Sequence, residues 1–407
     1  MKNYSHIQTV FVLMPMVMSF ACGLDIYIPI LPEMTHIFHT SSSMIQLTMS
    51  LFLLAVAIGQ LFIGPLSDQF GRKKILYISA ILFSLGSIGC IYSETIGWLI
   101  LARIISGIGA CGLLVVSFAI VRDLFSKEES AKMYSFLNGA TGISPTFAPI
   151  LGGILMNIWG WKSIFLFLGL FGVYSGGITY FFIKETLESQ NRVKLNRDIF
   201  LRYYQICKNK QFITFSLISG CAQTVFFGFF STSPYIIKDL LNYSITEFGY
   251  YFALFGLVLS LGSLLSGKMI EKFGIFPTIK TGLALMLGGG IIMMIWSLIT
   301  PLTLISYLIP MIIANLGGIL LVGSCVSIAL EPFPNLAGTA SAAYGCLEYC
   351  ISSIIIAFVM LFPIQSTLPY SISINLVSVI SIIAFIKYIP KCTQNLVFDK
   401  EEAPAID

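Results

Sequence analysis

Asp25, Arg103 and Glu348 interrupt long apolar stretches, and a charge set so far from water is costly unless it has a task. A carboxylate in a low-dielectric cavity can hold a proton in one surrounding and release it in another, so Asp25 and Glu348 are candidate proton carriers. Arg103 keeps its charge under all ordinary conditions, which limits it to tuning a nearby carboxylate or binding an anionic group. Each also has a structural reading: Asp25 as a helix-end charge that reaches water, Arg103 as an ion pair or a snorkelling side chain, and Glu348 as a neutral acid hydrogen-bonded between helices.

A second concentration of polar chemistry is the turn from Gly64 to Lys74, reading GPLSDQFGRKK. Gly64 and Gly71 permit close approach and backbone angles that other residues resist. Asp68 is expected at a helix start, capping free N–H groups, with Arg72, Lys73 and Lys74 facing an anionic surface. Gly267, Glu271, Phe273 and Gly274 repeat the spacing of Gly64, Asp68, Phe70 and Gly71 half a chain later, which points to duplication. The second copy departs after its glycine, where Ile275 and Phe276 replace the basic pair.

The elements that position these residues follow from composition. Hydrophobic residues make up 57% of the 407 positions and charged residues 10%, against about 25% charged in a soluble domain. Twelve runs reach the roughly 20 apolar residues that a bilayer-spanning helix needs, starting near Ile7, Met44, Ile75, Trp98, Ala131, Ser163, Phe212, Phe248, Pro277, Leu302, Ala337 and Leu368. The first follows Lys2 but is too long for a secretory signal, lacks a small-x-small cleavage site and carries Asp25, so it reads as a retained helix. Backbone groups in hydrocarbon must bond internally, and the period-2 pattern of a barrel is absent. The expected class is an all-α integral membrane protein of twelve transmembrane helices in two six-helix bundles related by pseudo-two-fold symmetry.

With both termini placed in the cytoplasm, only Lys162 and Lys238 of the 23 Lys and Arg residues fall outside, and only Arg103 falls within a run. That asymmetry predicts the orientation. The net charge of +4 then reflects topology and makes no case for nucleic-acid binding. The boundaries expected are a first bundle over 1–183, a basic cytoplasmic linker over 184–211 able to form an interfacial helix, a second bundle over 212–390, and a cytoplasmic tail over 391–407.

The nine cysteines suggest no disulfide, and Cys346 and Cys350, four apart on one helical face, read as packing residues for want of a third metal ligand. His6, His36 and His39 all lie near the N-terminus, and no nucleophile–base set, metal cluster or phosphate loop appears, so neither enzyme activity nor a cofactor or metal is expected. Pro29 and Pro32 after Asp25 favour a bend, and Pro145 and Pro149 with Gly142, Gly152 and Gly153 make a kinked, thin-sided helix. Tyr27, Gln60, Asn138, Gln223, Tyr235 and Asn315 are polar groups within or near helices that could line a central cavity, as are Phe226, Phe227 and Tyr344.

Over nearly its whole length the chain resembles the major facilitator superfamily, and within it the drug:proton antiporters of the bicyclomycin and chloramphenicol resistance type. Five segments carry the resemblance: Asp25 to Pro29, Gly59-Gln60 running into Gly64 to Lys74, Arg103 with Gly107 and Gly109, Val121 to Phe125, and Ala148 to Gly153. Gly338 to Ala342 and Trp161 to Phe165 fit as well. The resemblance implies a latch in which Asp68, Arg72 and Asp123 hold the halves closed on the cytoplasmic side. It further implies a part for Arg103 in proton transfer and an antiporter signature in the Pro145 to Gly153 segment. The expected protein is a monomer of a bacterial inner membrane that binds a small molecule and protons and contacts only lipid. It would export a small, partly apolar compound against protons by alternating access. A symporter, an exporter of a metabolite or siderophore, and a membrane sensor on the same scaffold stay open, as does the substrate.

Overall fold

A computed structural model of the chain describes residues 6–125, 127–187, 198–333, 336–362 and 366–401. Among the described residues 12 helices are long and apolar enough to cross a bilayer, in the order of the twelve apolar runs. The first span is broken. Helix α1 (His6–Asp25) gives way to a 3-10 turn at Ile28–Ile30 and then α2 (Leu31–Ile37), with a proline in the first turn of each new piece. Proline supplies no N–H to the preceding turn, so the chain after Asp25 restarts rather than bends smoothly.

The first bundle continues with α3 (Ser42–Phe70), α4 (Arg72–Ile91), α5 (Ile96–Leu124), α6 (Lys127–Trp159) and α7 (Lys162–Phe182). A short amphipathic helix, α8 (Asp198–Lys208), lies where an interfacial linker helix was expected. The second bundle comprises α9 (Lys210–Pro234), α10 (Ile245–Phe273), α11 (Ile275–Ile299), α12 (Leu304–Leu330), α13 (Ala337–Val359) and α14 (Leu368–Glu401). Past Pro234, α9 widens into a π-helical turn, Tyr235–Leu240.

The duplicated turn is also duplicated in backbone. Ser41 caps the start of α3 and Ser244 the start of α10, each hydroxyl accepting a backbone N–H three residues on. Both helices end at a glycine in the left-handed region, Gly71 at φ 96° and Gly274 at φ 87°, and the next helix starts from that same glycine. A side chain resists that conformation, so glycine persists in both copies while the basic residues do not.

Helices α4 and α7, and in the other bundle α11 and α14, stand at the periphery. Their outer faces carry exposed Leu85, Leu170, Val173, Leu298 and Leu376, the surface that lipid covers. The bundles meet along two helix pairs, α3 with α13 and α6 with α10. These alternating crossings put the Gly71 turn, α8 and the start of α9 on one face, called here the basic face, and α2 and the π-helical turn on the other.

Candidate functional site

Asp25 closes α1 at the break and is 2% exposed. Its neighbours are neutral: Ser144 of α6 stands beside the carboxylate, and the Ser144 hydroxyl also reaches Cys22 Sγ at 3.9 Å. The break presses on α6 at Gly152, where any β-carbon would run into the Ile26 carbonyl. Gly152 of the proline-glycine segment therefore lets backbone of the first span lie directly on α6. On its other side α6 meets the second bundle, with Thr146 Oγ1 2.8 Å from where a β-carbon on Gly256 would sit.

Arg103 does not snorkel and forms no ion pair among the described residues. It is 1% exposed, donates from Nη1 to the Gly23 carbonyl at 2.9 Å, and lays its guanidinium 4.2 Å from the Phe52 ring centre and 5.1 Å from that of Tyr27. Cation–π attraction of this kind compensates in part for lost water. Nε and Nη2 have no hydrogen-bond partner among the described residues, so the box holds a charged group with donors to spare. The Tyr27 ring, fully buried, rests on Phe165, and its hydroxyl accepts from Thr48.

Glu348 is 7% exposed on α13, where the Ser219 hydroxyl of α9 donates to it at 2.7 Å. Both buried carboxylates thus have a hydroxyl and no cation as their recorded partner. One belongs to each bundle.

At the basic face Arg72 is the centre of a polar cluster, with Nη2 2.5 Å from Asp68 and Nε 2.9 Å from Asp123. Nη1 donates to Ser67 at 2.5 Å, and Thr186 donates to Asp123 at 3.1 Å. One expectation is corrected here. Asp68 lies in the last turn of α3, not at a helix start, because α3 runs on through Pro65 to Phe70 before Gly71 ends it. The start of α4 is served instead by Glu185, whose carboxylate accepts the backbone N–H of Arg72 at 2.9 Å and of Lys73 at 3.3 Å. Every recorded partner in this cluster belongs to the first bundle or the segment just after α7. Contact with the rest of the molecule at this face comes from neighbours: Tyr203 of α8 donates to the Leu61 carbonyl at 3.1 Å, and Arg122 approaches Gly338 of α13.

On the opposite face the two bundles are bonded directly. Gln46 Nε2 donates to the Ser231 carbonyl at 2.5 Å, Tyr235 donates to the Leu31 carbonyl at 3.4 Å, Lys238 pairs with Glu33, and Ser43 donates to the Met360 carbonyl. Sequence reasoning named only Tyr235 of these as a site candidate and Lys238 only as an external charge, since nothing local marks which helix ends will face each other.

The remaining cavity candidates are scattered. Gln60 presses on Gly345 of α13 at the seam, and half-buried Gln223 and Phe226 lie on α9. Asn315 donates to the Met311 carbonyl of its own helix at 2.9 Å and leaves Oδ1 without a partner. Tyr344 is buried, and the Phe227 ring lies against that of Tyr349. The Asn138 side chain lies outside the described residues. The Cys346 and Cys350 sulfurs are 3.9 Å apart, with no metal-binding group of three or more ligands among the described residues.

The sequence profile of the Major Facilitator Superfamily matches residues 13–357. The chain belongs to this superfamily. A chloramphenicol resistance protein of Pseudomonas aeruginosa is 29% identical over 350 residues, covering 85% of this chain and 82% of that protein. A bicyclomycin resistance protein homolog of Haemophilus influenzae is 26% identical over 371 residues, covering 89% and 91%. Among solved structures, a peptide transporter POT in complex with sulfate superposes with a TM-score of 0.78 at 11% identity, covering 95% of this chain and 94% of that one. The inward-open xylose transporter XylE from E. coli gives 0.73 at 16%, covering 93% and 96%. At such identities the structures speak for the fold alone. As a facilitator-superfamily member the chain is a multi-pass membrane transporter, and its non-enzymatic nature agrees with the lack of catalytic motifs in the sequence.

Proposed function

We propose that this transporter exports a small, partly apolar, drug-like compound in exchange for protons by alternating access, as a monomer in a bacterial inner membrane with the basic face and both termini in the cytoplasm. The observation that carries the reading is the pair of carboxylates, Asp25 and Glu348, buried within membrane-spanning segments, one in each bundle, each beside a hydroxyl and neither beside a cation among the described residues. Such a group loads and unloads protons as its access to water changes. The resistance-protein relatives support a drug-like substrate.

In the proposed cycle Asp25 and Glu348 are protonated from outside and deprotonated inward as substrate binds. Arg103, two residues' reach from Asp25 through the Gly23 carbonyl, keeps a positive field in the first bundle and offers its free donors to an anionic partner. The Asp68–Arg72–Asp123 cluster with Gly64 and Gly71 stiffens the basic end of the first bundle, so that its helices move as one unit when the halves separate there. The Pro145 to Gly153 segment of α6 is the surface on which the halves rock. One proton crossing roughly 150 mV releases about 3.5 kcal/mol, enough for a gradient of a few hundredfold for a neutral solute.

The test is substrate-induced proton movement in proteoliposomes, with a drug and metabolite panel screened first for accumulation with and without a protonophore. Asp25→Asn is expected to abolish coupled proton movement while substrate still binds. Unchanged coupling removes Asp25 as the proton site, and net substrate movement in the same direction as protons replaces antiport by symport.

A further inference from the structure

Where the linker joins the second bundle, a cavity of about 320 Å³ opens at the basic face between the end of α8, the first turn of α9 and the middle of α14 around Lys387. Lys208, Lys210 and Lys387 line it, and no carboxylate among the described residues does. All three lysines are exposed, and the Lys208 ammonium sits 4.4 Å above the Tyr204 ring, on the surface of α8. Ile213, Ala384 and Tyr388 form an apolar wall on the bundle side. The depth is informative: Lys210 opens one membrane-spanning segment and Lys387 is the first charge after the apolar run that starts at Leu368, which puts the cavity at the level where hydrocarbon gives way to headgroups.

We propose that this cavity binds the phosphodiester headgroup of an anionic phospholipid, with the three ammonium groups around the phosphate and the acyl chains descending along Ile213 and α14. Three lysines lining one cavity, with no carboxylate in its lining among the described residues, favour an anion, and an apolar wall continuous with the lipid-facing surface suits an amphiphile better than a free ion. The occupant also has a mechanical consequence. Helix α8 reaches the first bundle through the Tyr203 bond to Leu61, while its other end forms this cavity with the second bundle. A lipid held there would tie the linker helix to α14 and fix the leverage between the halves.

The test uses the full chain in phosphatidylcholine vesicles doped with a photoactivatable phosphatidylglycerol or, in parallel, a photoactivatable phosphatidylcholine, with cross-links mapped by mass spectrometry. The anionic probe is expected to label peptides spanning 207–214 and 384–388 at least tenfold more than the zwitterionic one, since each nearby lysine contributes about fivefold. Lys208→Gln/Lys210→Gln/Lys387→Gln is expected to remove that excess, whereas Lys268→Gln/Lys272→Gln/Lys280→Gln on the same face keeps it. Equal labelling by both probes in the unaltered protein overturns the proposal without relying on any variant. So does an excess that survives the first triple substitution. Loss of labelling in inorganic phosphate but not in chloride of equal ionic strength assigns the cavity to a free phosphate and overturns the lipid.

Discussion

If the bundles separate on the face opposite the basic one during transport, the bonds across that face set the equilibrium between closed and open forms. Two can be removed with little change of shape, by Gln46→Met and Glu33→Gln. The Gln46 bond to Ser231 joins buried neutral groups and is worth about 0.5–1.5 kcal/mol. Glu33 and Lys238 are 35% and 19% exposed, so their pair is a partly solvated one worth about 0.2–1 kcal/mol. Together the double variant should shift the equilibrium toward opening by about 0.7–2.5 kcal/mol, or roughly threefold to seventyfold. Spin labels at Tyr92 and Ile299, 75% and 76% exposed at the ends of α4 and α11 on that face, would report the change as a larger long-distance population in electron–electron dipolar spectra. High salt should reproduce the Glu33→Gln component and leave the Gln46→Met component, because only the exposed pair is screened. An unchanged distance distribution in the double variant would refute the assignment of these bonds as the closing contacts.

Four further outcomes are expected. Gly152→Ala places a methyl group against the Ile26 carbonyl and should destabilise the detergent-solubilised protein by about 1–3 kcal/mol, whereas Gly142→Ala, on the same helix with open space around it, should be neutral or slightly stabilising in thermal unfolding. Arg72→Gln strands Asp123 and Ser67 and should cost about 2–4 kcal/mol, while Asp68→Asn, at a side chain 40% exposed, should cost under about 1 kcal/mol yet slow turnover if the latch reading holds. Burial, with Cys346 and Asp68 adding to it, pushes the Tyr203 phenol up to about 12 from 10.0. The neutral form is therefore favoured in the folded protein, so the α8 contact with Leu61 should be fully present below about pH 10 and lost only as pH rises toward about 12, as followed by tyrosinate absorbance. Glu348→Gln retains an acceptor for Ser219 and should fold normally while lowering the number of protons exchanged per substrate; an unaltered stoichiometry would leave Asp25 as the sole carrier.

The long apolar runs were legible because a bilayer imposes a length, and every run found its helix. The break after Asp25 was legible because Pro29 and Pro32 lack the N–H groups a continuous helix would need. What escaped was partnership across helices. A soluble helix announces its buried side through polar residues on the other, but α11 is apolar around its whole circumference, and in lipid that uniformity costs nothing. Rotation about the helix axis is then set by small residues and single polar groups, so that Ser219 meeting Glu348, or Phe52 and Tyr27 enclosing Arg103, depends on phases that spacing does not encode. Asp68 shows the converse error. Its charge and flanking glycines read as a helix start, yet glycine at φ 96° is the true boundary and lies three residues later, leaving Asp68 an α3 residue that pairs with Arg72 across the turn. The carboxylate that does serve the start of α4, Glu185, comes from beyond α7. The polar cluster at the basic face is thus assembled from α3, α4, α5 and the segment after α7, which makes it a clasp within one bundle. Any control it exerts over opening must pass through the stiffness of that bundle or through Arg122 and α8, the groups that reach the other half.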